Sequence, residues 1–200
     1  MIACLDFDKT LISINSFPRW IIFVLKKSII EIKFRIFFKI TYLIMVRKVF
    51  NLISHESFKK SINNISYPLS WSEEFCQFVY KSFLANNIYN FILSQKYDQI
   101  FISTAAPGCY ARSISKIFEF DGSKVKIVSS DKNNLKHFEN SKINKYLNTF
   151  PLFNGKQYTL FTDHIDDFYL AKKSTKTFLC NPDKHSLREY KKTNIKIEII

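Results

Sequence analysis

Glycine is almost missing from this chain: there are three in 200 residues, beside five prolines and four cysteines. Lys, Asn, Ile and Phe abound instead, a bias that an AT-rich coding sequence would produce by itself, so the shortage excludes no function. Cys4, Cys76, Cys109 and Cys180 stand far apart without paired spacing. That excludes a disulfide frame or a zinc site and reads as reduced thiols in a cytoplasmic protein. Acidic residues are short too, 17 against 30 Lys and Arg, which leaves a net charge of +13. Such an excess favours anionic partners: phosphorylated metabolites, nucleic acid or anionic lipid headgroups. No uncharged apolar run reaches the ~18 residues of a membrane-spanning helix. Asp6 and Asp8 interrupt the first apolar run too early for a secretory leader. Internal repeats and low-complexity tracts do not stand out, and no recognised nucleic-acid module accompanies the charge, so nucleic acid is not the expected partner.

A composition of 46% hydrophobic and 16% aromatic residues is enough to bury a real core. The first segment, Ile-Ala-Cys-Leu-Asp-Phe (residues 2–7), is too short for a helix and reads as a buried parallel strand. From about residue 16 to residue 93 the periodicity is mainly helical, with Ser70, Glu73 and Glu74 marking one helix start. Strands and helices then alternate: strands over 97–104, 123–130, 158–163 and 175–180, helices over 108–120, 141–150 and 166–174, and a last strand at 196–200. Such alternation predicts an α/β fold, a Rossmann-like parallel sheet formed by residues 1–15 and 94–200, with residues 16–93 inserted as an α-helical cap.

In an open parallel sheet, ligands bind beyond the carboxyl ends of the strands. Polar groups collect there. Asp6 and Asp8 close the first strand, and alternation turns both carboxylates toward one pocket while Phe7 points into the core. Ser103 and Thr104 close the second, Lys142 opens a later helix, and Asp163, Asp166 and Asp167 follow the strand at 158–163. Singly these are ordinary turn formers, helix caps and solvated lysines. Their joint order along consecutive sheet elements is not ordinary. The four histidines read as exposed or packed side chains rather than ligands.

With Leu-Asp-Phe-Asp-Lys-Thr-Leu-Ile at 5–12, Ile-Phe-Ile-Ser-Thr-Ala-Ala-Pro at 100–107, Glu-Asn-Ser-Lys-Ile-Asn-Lys at 139–145 and Leu-Phe-Thr-Asp-His-Ile-Asp-Asp at 160–167, the chain resembles the haloacid dehalogenase (HAD) superfamily. The likeness is to its phosphoserine-phosphatase-like branch, subfamily IB, whose helical C1-type cap follows the first strand. The Asn-Pro-Asp at 181–183 is similar to the ending of that branch. The resemblance implies a Mg²⁺-dependent phosphatase acting on a phosphate monoester through an aspartyl phosphate. Asp6 is then the nucleophile, Asp8 the general acid and base, and Asp6, Asp8 (through its backbone carbonyl) and Asp163 the metal ligands. Asp167 binds metal waters or orients the lysine. Its register against Asp166 follows the superfamily's Asp-x-x-x-Asp spacing. Thr104, or Ser103 in the other register, and Lys142 would bind phosphate, with Lys145 as the fallback lysine. Thr162-Asp163-His164 departs from the frequent Gly-Asp-Ser, and Lys9 stands where many relatives carry glycine.

The cap holds one more feature. Lys27, Glu31, Arg35 and Lys39 recur at four-residue steps among Ile, Phe and Leu, which predicts one charged helix face on an otherwise apolar helix. Two readings stay open: a cap packed on its own neighbours, or an interfacial helix in peripheral contact with the cytoplasmic face of an anionic membrane. Phosphatidylglycerophosphate phosphatases with similar motifs carry a comparable segment. The expected substrate is therefore a small phosphorylated metabolite, with a lipid phosphate, or a non-catalytic binding module on the same fold, as alternatives.

Overall fold

The computed structural model describes residues 1–120, 123–130 and 142–200. Six strands form one fully parallel sheet: β1 (Ile2–Leu5), β2 (Gln99–Pro107), β3 (Lys124–Ser130), β4 (Tyr158–Thr162), β5 (Lys176–Leu179) and β6 (Ile197–Ile199), in the order β3-β2-β1-β4-β5-β6. β1 is central, and its Ile-Ala-Cys-Leu run is apolar on both faces because helices cover both. The two faces separate by alternation. Ala3, Leu5, Ile100, Ile102, Phe161 and Phe178 enter one apolar cluster, while Ile2, Cys4, Phe101, Leu160 and Leu179 enter the other.

Five helices lie between β1 and β2: α1 (Ser16–Ile30), α2 (Phe34–Lys48), α3 (His55–Asn63), α4 (Leu69–Phe83) and α5 (Asn86–Ser94). They join the first cluster through rings, with Trp20 of α1 and Phe75 of α4 each within 5.2 Å of the Tyr110 ring. On the far side α8 (Lys142–Thr149), α9 (Phe168–Lys173) and α10 (Lys184–Lys191) cover the second cluster.

Two expected helices are divided. Residues 108–120 form two short turns, α6 (Gly108–Ala111) and α7 (Ile114–Ile117), where the Ser113 hydroxyl leaves the helix to donate to Ser72 at 2.9 Å. The long cap helix breaks after Ile30, so Lys27 and Glu31 pair at 3.2 Å at the end of α1 while Arg35 and Lys39 belong to α2. The break is a left-handed turn at Ile32 (φ +55°), closed by Lys33 N–H donating to Ser28 O at 2.8 Å. Glycine would normally take such a position. With so few glycines, left-handed conformations fall to Asn51, Asn154 and Asn181, which tolerate them, and to Lys9, Ile32 and Lys96.

Strand order positions the site. From β1 the chain steps outward to β2 and β3, then returns to the opposite side of β1 for β4. The crevice where the direction reverses lies between the carboxyl ends of β1 and β4, which is where such sheets bind ligands.

Candidate active site

Asp6 continues β1 past its last residue and donates its amide to Phe161 O at 2.9 Å, which fixes the carboxylate at the edge of the crevice. From the facing helix α8, the Lys145 ammonium lies 2.7 Å from Asp6 Oδ1 and 2.7 Å from Asp167 Oδ1. Asp167 stands in a short 3-10 turn (Ile165–Asp167) just after β4, and its Oδ2 accepts from the Thr162 hydroxyl at 2.6 Å. Asp163, the residue directly after β4, is buried close enough for its charge to act on Asp6. Four side chains from three elements thus converge: Asp6, Asp163, Asp167 and Lys145.

Asp8 is held differently. Its Oδ1 accepts from the backbone amide of Ser16 at 2.9 Å, the first residue of α1. Asn15 caps that helix by accepting from Phe17 N at 3.1 Å, so the Ser16 amide is free to point at Asp8, where the positive end of the helix also favours a carboxylate. Ser16 Oγ in turn shares a 2.8 Å hydrogen bond with the buried Tyr110 hydroxyl. Between the two aspartates Phe7 is buried, with its ring 5.6 Å from Phe118.

β2 runs past the expected end at residue 104, and Ser103 and Thr104 are both buried within it, just beyond its pairing with β1, with different partners. Ser103 Oγ lies 2.7 Å from Thr149 Oγ1 and ties β2 to α8, the helix that carries Lys145. Thr104 Oγ1 accepts from Ala106 N at 3.0 Å. A hydroxyl that accepts keeps its own proton to donate, so Thr104 can still offer it to an anion. Asp166 turns outward and lies 3.1 Å from His164, whereas its neighbour Asp167 turns in. The backbone of Lys142 begins α8, but its side chain lies outside the described residues, as does all of His137.

The electrostatics follow from burial and an unequal count of charges. Burial pushes the Asp6 carboxyl up, the charges of Asp167 and Asp163 push it further, and Lys145 offsets only part, leaving it at about 8. Burial also raises Asp163 and Asp8, the latter against the pull of its Ser16 hydrogen bond. Burial alone would lower Lys145, but Asp167 and Asp6 outweigh it and keep the ammonium charged. One lysine balances too little of three buried carboxylates. Two further cations face this edge. Lys59 of α3, whose ammonium burial lowers, acts on Asp8, and Lys9 acts on Asp163.

Three of these residues escape a reading of sequence. Ser16 carries a partial signal, since Asn15 a few residues before the apolar run that begins at Trp20 marks a helix start. Nothing local marks Tyr110 or Lys59, which reach the site only through the packing of the inserted helices on the sheet.

No family model matches the sequence, and no curated protein is similar to it. Solved structures do match its fold. A protein of unknown function from Bordetella pertussis Tohama I superposes over 98% of this chain and 96% of its own, with a TM-score of 0.66 at 16% identity. A HAD family hydrolase from Salmonella enterica subsp. enterica serovar Typhi superposes over 98% of this chain and 66% of its own, with a TM-score of 0.56 at 11% identity. The fold is HAD-like. At such identities the likeness carries architecture alone, because one fold hosts many chemistries. What the HAD-like fold adds is position: the acidic residues and Lys145 stand at the carboxyl ends of β1 and β4, the ligand-binding edge of the sheet.

Proposed function

We propose that this chain is a phosphatase that hydrolyses a phosphate monoester of a small phosphorylated metabolite. The observation that carries the proposal is the Lys145 ammonium held 2.7 Å from both Asp6 and Asp167 while Asp8, two residues along, is held by a separate donor. Two carboxylates in different environments can perform different tasks.

Asp6 attacks phosphorus with a carboxylate oxygen, the phosphorus–ester oxygen bond breaks, and the leaving oxygen takes a proton from Asp8. Burial raises the Asp8 carboxyl and so favours the protonated form that this step needs. In the second step Asp8 accepts a proton from water, the water oxygen bonds to phosphorus, and the acyl phosphate bond breaks to release phosphate and regenerate Asp6. Lys145 and the Thr104 hydroxyl supply donors for the charge on the phosphoryl oxygens.

A divalent cation fits this donor set. Buried Asp167 Oδ1 takes no aligned hydrogen bond although the ammonium is close, and burial together with the neighbouring carboxylates holds Asp6 well above its ordinary range. Among the described residues no three His, Cys, Asp or Glu side chains form a ready-made metal cage. Mg²⁺ does not require one, since it takes one or two carboxylates, waters and a substrate oxygen. Asp6, Asp163 and the Asp8 carbonyl would hold it, with Asp167 beside it, and the ion would supply charge neutralisation and polarisation of the phosphoryl group.

The test is release of phosphate from an aryl phosphate with and without Mg²⁺. Turnover that depends on Mg²⁺ and falls by on the order of a thousandfold or more in Asp6→Asn is the expected result. Turnover unchanged in Asp6→Asn, or no turnover across a panel of phosphorylated metabolites and lipids, overturns the proposal.

A further inference from the structure

α2 presents a problem of physical chemistry that the catalytic site does not explain. A surface helix normally turns one apolar face to the core and a polar face to water, yet α2 carries large apolar side chains on its outer face as well. One face, Ile36, Ile40, Leu43 and Ile44, packs on the apolar cluster beneath it. The other face is bare: Phe34, Phe38, Tyr42 and Met45, with Val49 just past the helix end, are all exposed, Phe38 to 66% and Tyr42 to 65%. At 3.6 residues per turn these five positions form a single stripe about 22 Å long. Ile29, Ile30 and Ile32 at the α1–α2 turn are exposed as well and extend the apolar surface beyond its amino end.

The borders of the stripe are basic. On the helical wheel Arg35 and Lys39 flank it on one side and Lys48 on the other, and all three are exposed. From residue 19 to residue 48, Lys and Arg recur at 19, 26, 27, 33, 35, 39, 47 and 48, while Glu31 is the only acid. That acid is already engaged by Lys27 and by the Trp71 indole N–H at 2.8 Å.

We propose that this face docks on the surface of an anionic phospholipid bilayer, with the stripe entering the acyl boundary and the flanking bases meeting the headgroups. An apolar face beside a basic one is the pattern of an interfacial helix. Charge decides against a second copy of the chain as the occupant. A twofold contact would set Arg35, Lys39 and Lys48 against their own copies on a protein of net charge +13. Crossing the bilayer is not required, and among the described residues no helix is long and apolar enough for it. This goes beyond the catalytic reading and stands without it.

Co-sedimentation with vesicles tests the docking, comparing pure phosphatidylcholine with vesicles containing about one-third phosphatidylglycerol. Binding to the anionic vesicles only, reversed by salt, is expected. Two variants should each weaken it by on the order of tenfold: the triple change Phe34→Ser, Phe38→Ser, Tyr42→Ser, and the double change Arg35→Gln, Lys39→Gln. Circular dichroism melting establishes that each variant is folded, and the charge variant leaves the apolar packing untouched if the triple one fails. Wild-type protein remaining in the supernatant at low salt, or folded variants sedimenting like wild type, overturns the proposal. So does light scattering that shows a dimer which the triple variant converts to monomer.

Discussion

The backbone amide of Ser16 donates to Asp8 Oδ1 at 2.9 Å, so the first turn of the inserted helices holds the side chain proposed as general acid. Two substitutions separate this amide from the hydroxyl beside it. Asn15 is extended (φ −85°, ψ 116°), a conformation compatible with a following proline. Ser16→Pro removes the N–H and should lower turnover about tenfold or more. It should also move the basic limb of the pH profile upward, because the hydroxyl and the amide of Ser16, which together hold the Asp8 carboxyl down, are both gone. Ser16→Ala keeps the N–H and loses the hydroxyl, which bonds Tyr110 and also helps to hold the Asp8 carboxyl down. Its turnover should stay close to wild type with a stability loss of about 1 kcal/mol. Equal losses of turnover in the two variants would contradict this assignment.

Lys145 and Lys142 can be told apart by kinetics and melting. Lys145→Met should reduce phosphate release by about a thousandfold. It should also cost about 3 kcal/mol, because the Asp6 and Asp167 carboxylates then share a buried site with no ammonium. Adding Asp167→Asn to it should recover part of that stability. Lys142→Met should keep turnover within a few-fold of wild type, and a severe loss there would move the phosphate-binding role to Lys142.

Burial of Asp6 beside two other carboxylates makes a signed prediction about pH. In the cation-free protein the Asp6 carboxyl is raised from 3.8 to about 8, so between those values the folded state holds a proton that the unfolded state has released. Stability from this group therefore falls as pH rises through that window. Asp6→Asn should melt close to wild type near pH 4 and about 5 °C higher at pH 8. Mg²⁺ should raise the wild-type melting temperature at pH 8 and narrow the difference. A melting difference that shrinks as pH rises would show that Asp6 is not under electrostatic strain.

Lys59 stands on α3 with its ammonium 5.5 Å from the centre of the Phe17 ring, and its charge acts on Asp8. A cation carried by the inserted helices at the edge of the site is suited to a substrate anion. Lys59→Met should raise KM for phosphorylated substrates about tenfold and change kcat less. An unchanged KM with a large loss of kcat would instead make Lys59 a partner of Asp8.

Ile32 holds a left-handed backbone with a β-branched side chain exposed to solvent. Ile32→Gly should stabilise the fold by about 1 kcal/mol, measured by denaturant titration, without changing turnover of a soluble substrate. Destabilisation would mean that the side chain contributes more at this turn than the backbone costs.

Much of the architecture was legible because the signals are local. A short apolar run before Asp6, followed by helical periodicity and then alternating strands and helices, can be built in few ways, and the strand ends are where polar residues interrupt those runs. Asparagine and lysine replacing glycine hid the turns. The break at Ile32 has neither Gly nor Pro beside it, so periodicity ran straight through a turn and placed Lys27, Glu31, Arg35 and Lys39 on one face that does not exist. Sequence brought Asp6, Asp8, Asp163 and Asp167 to one edge of the sheet, because strand alternation and strand order require no knowledge of distance. Only tertiary structure decided what meets across that edge. Lys142 and Lys145 lie nearly one helical turn apart on similar faces. That Lys145 reaches Asp6 and Asp167 depends on where α8 sits along the sheet, a helix tied to β2 by the Ser103–Thr149 hydrogen bond. The same holds for Asp166 and Asp167, where one residue of rotation in a 3-10 turn separates a solvent-facing carboxylate from one buried against an ammonium.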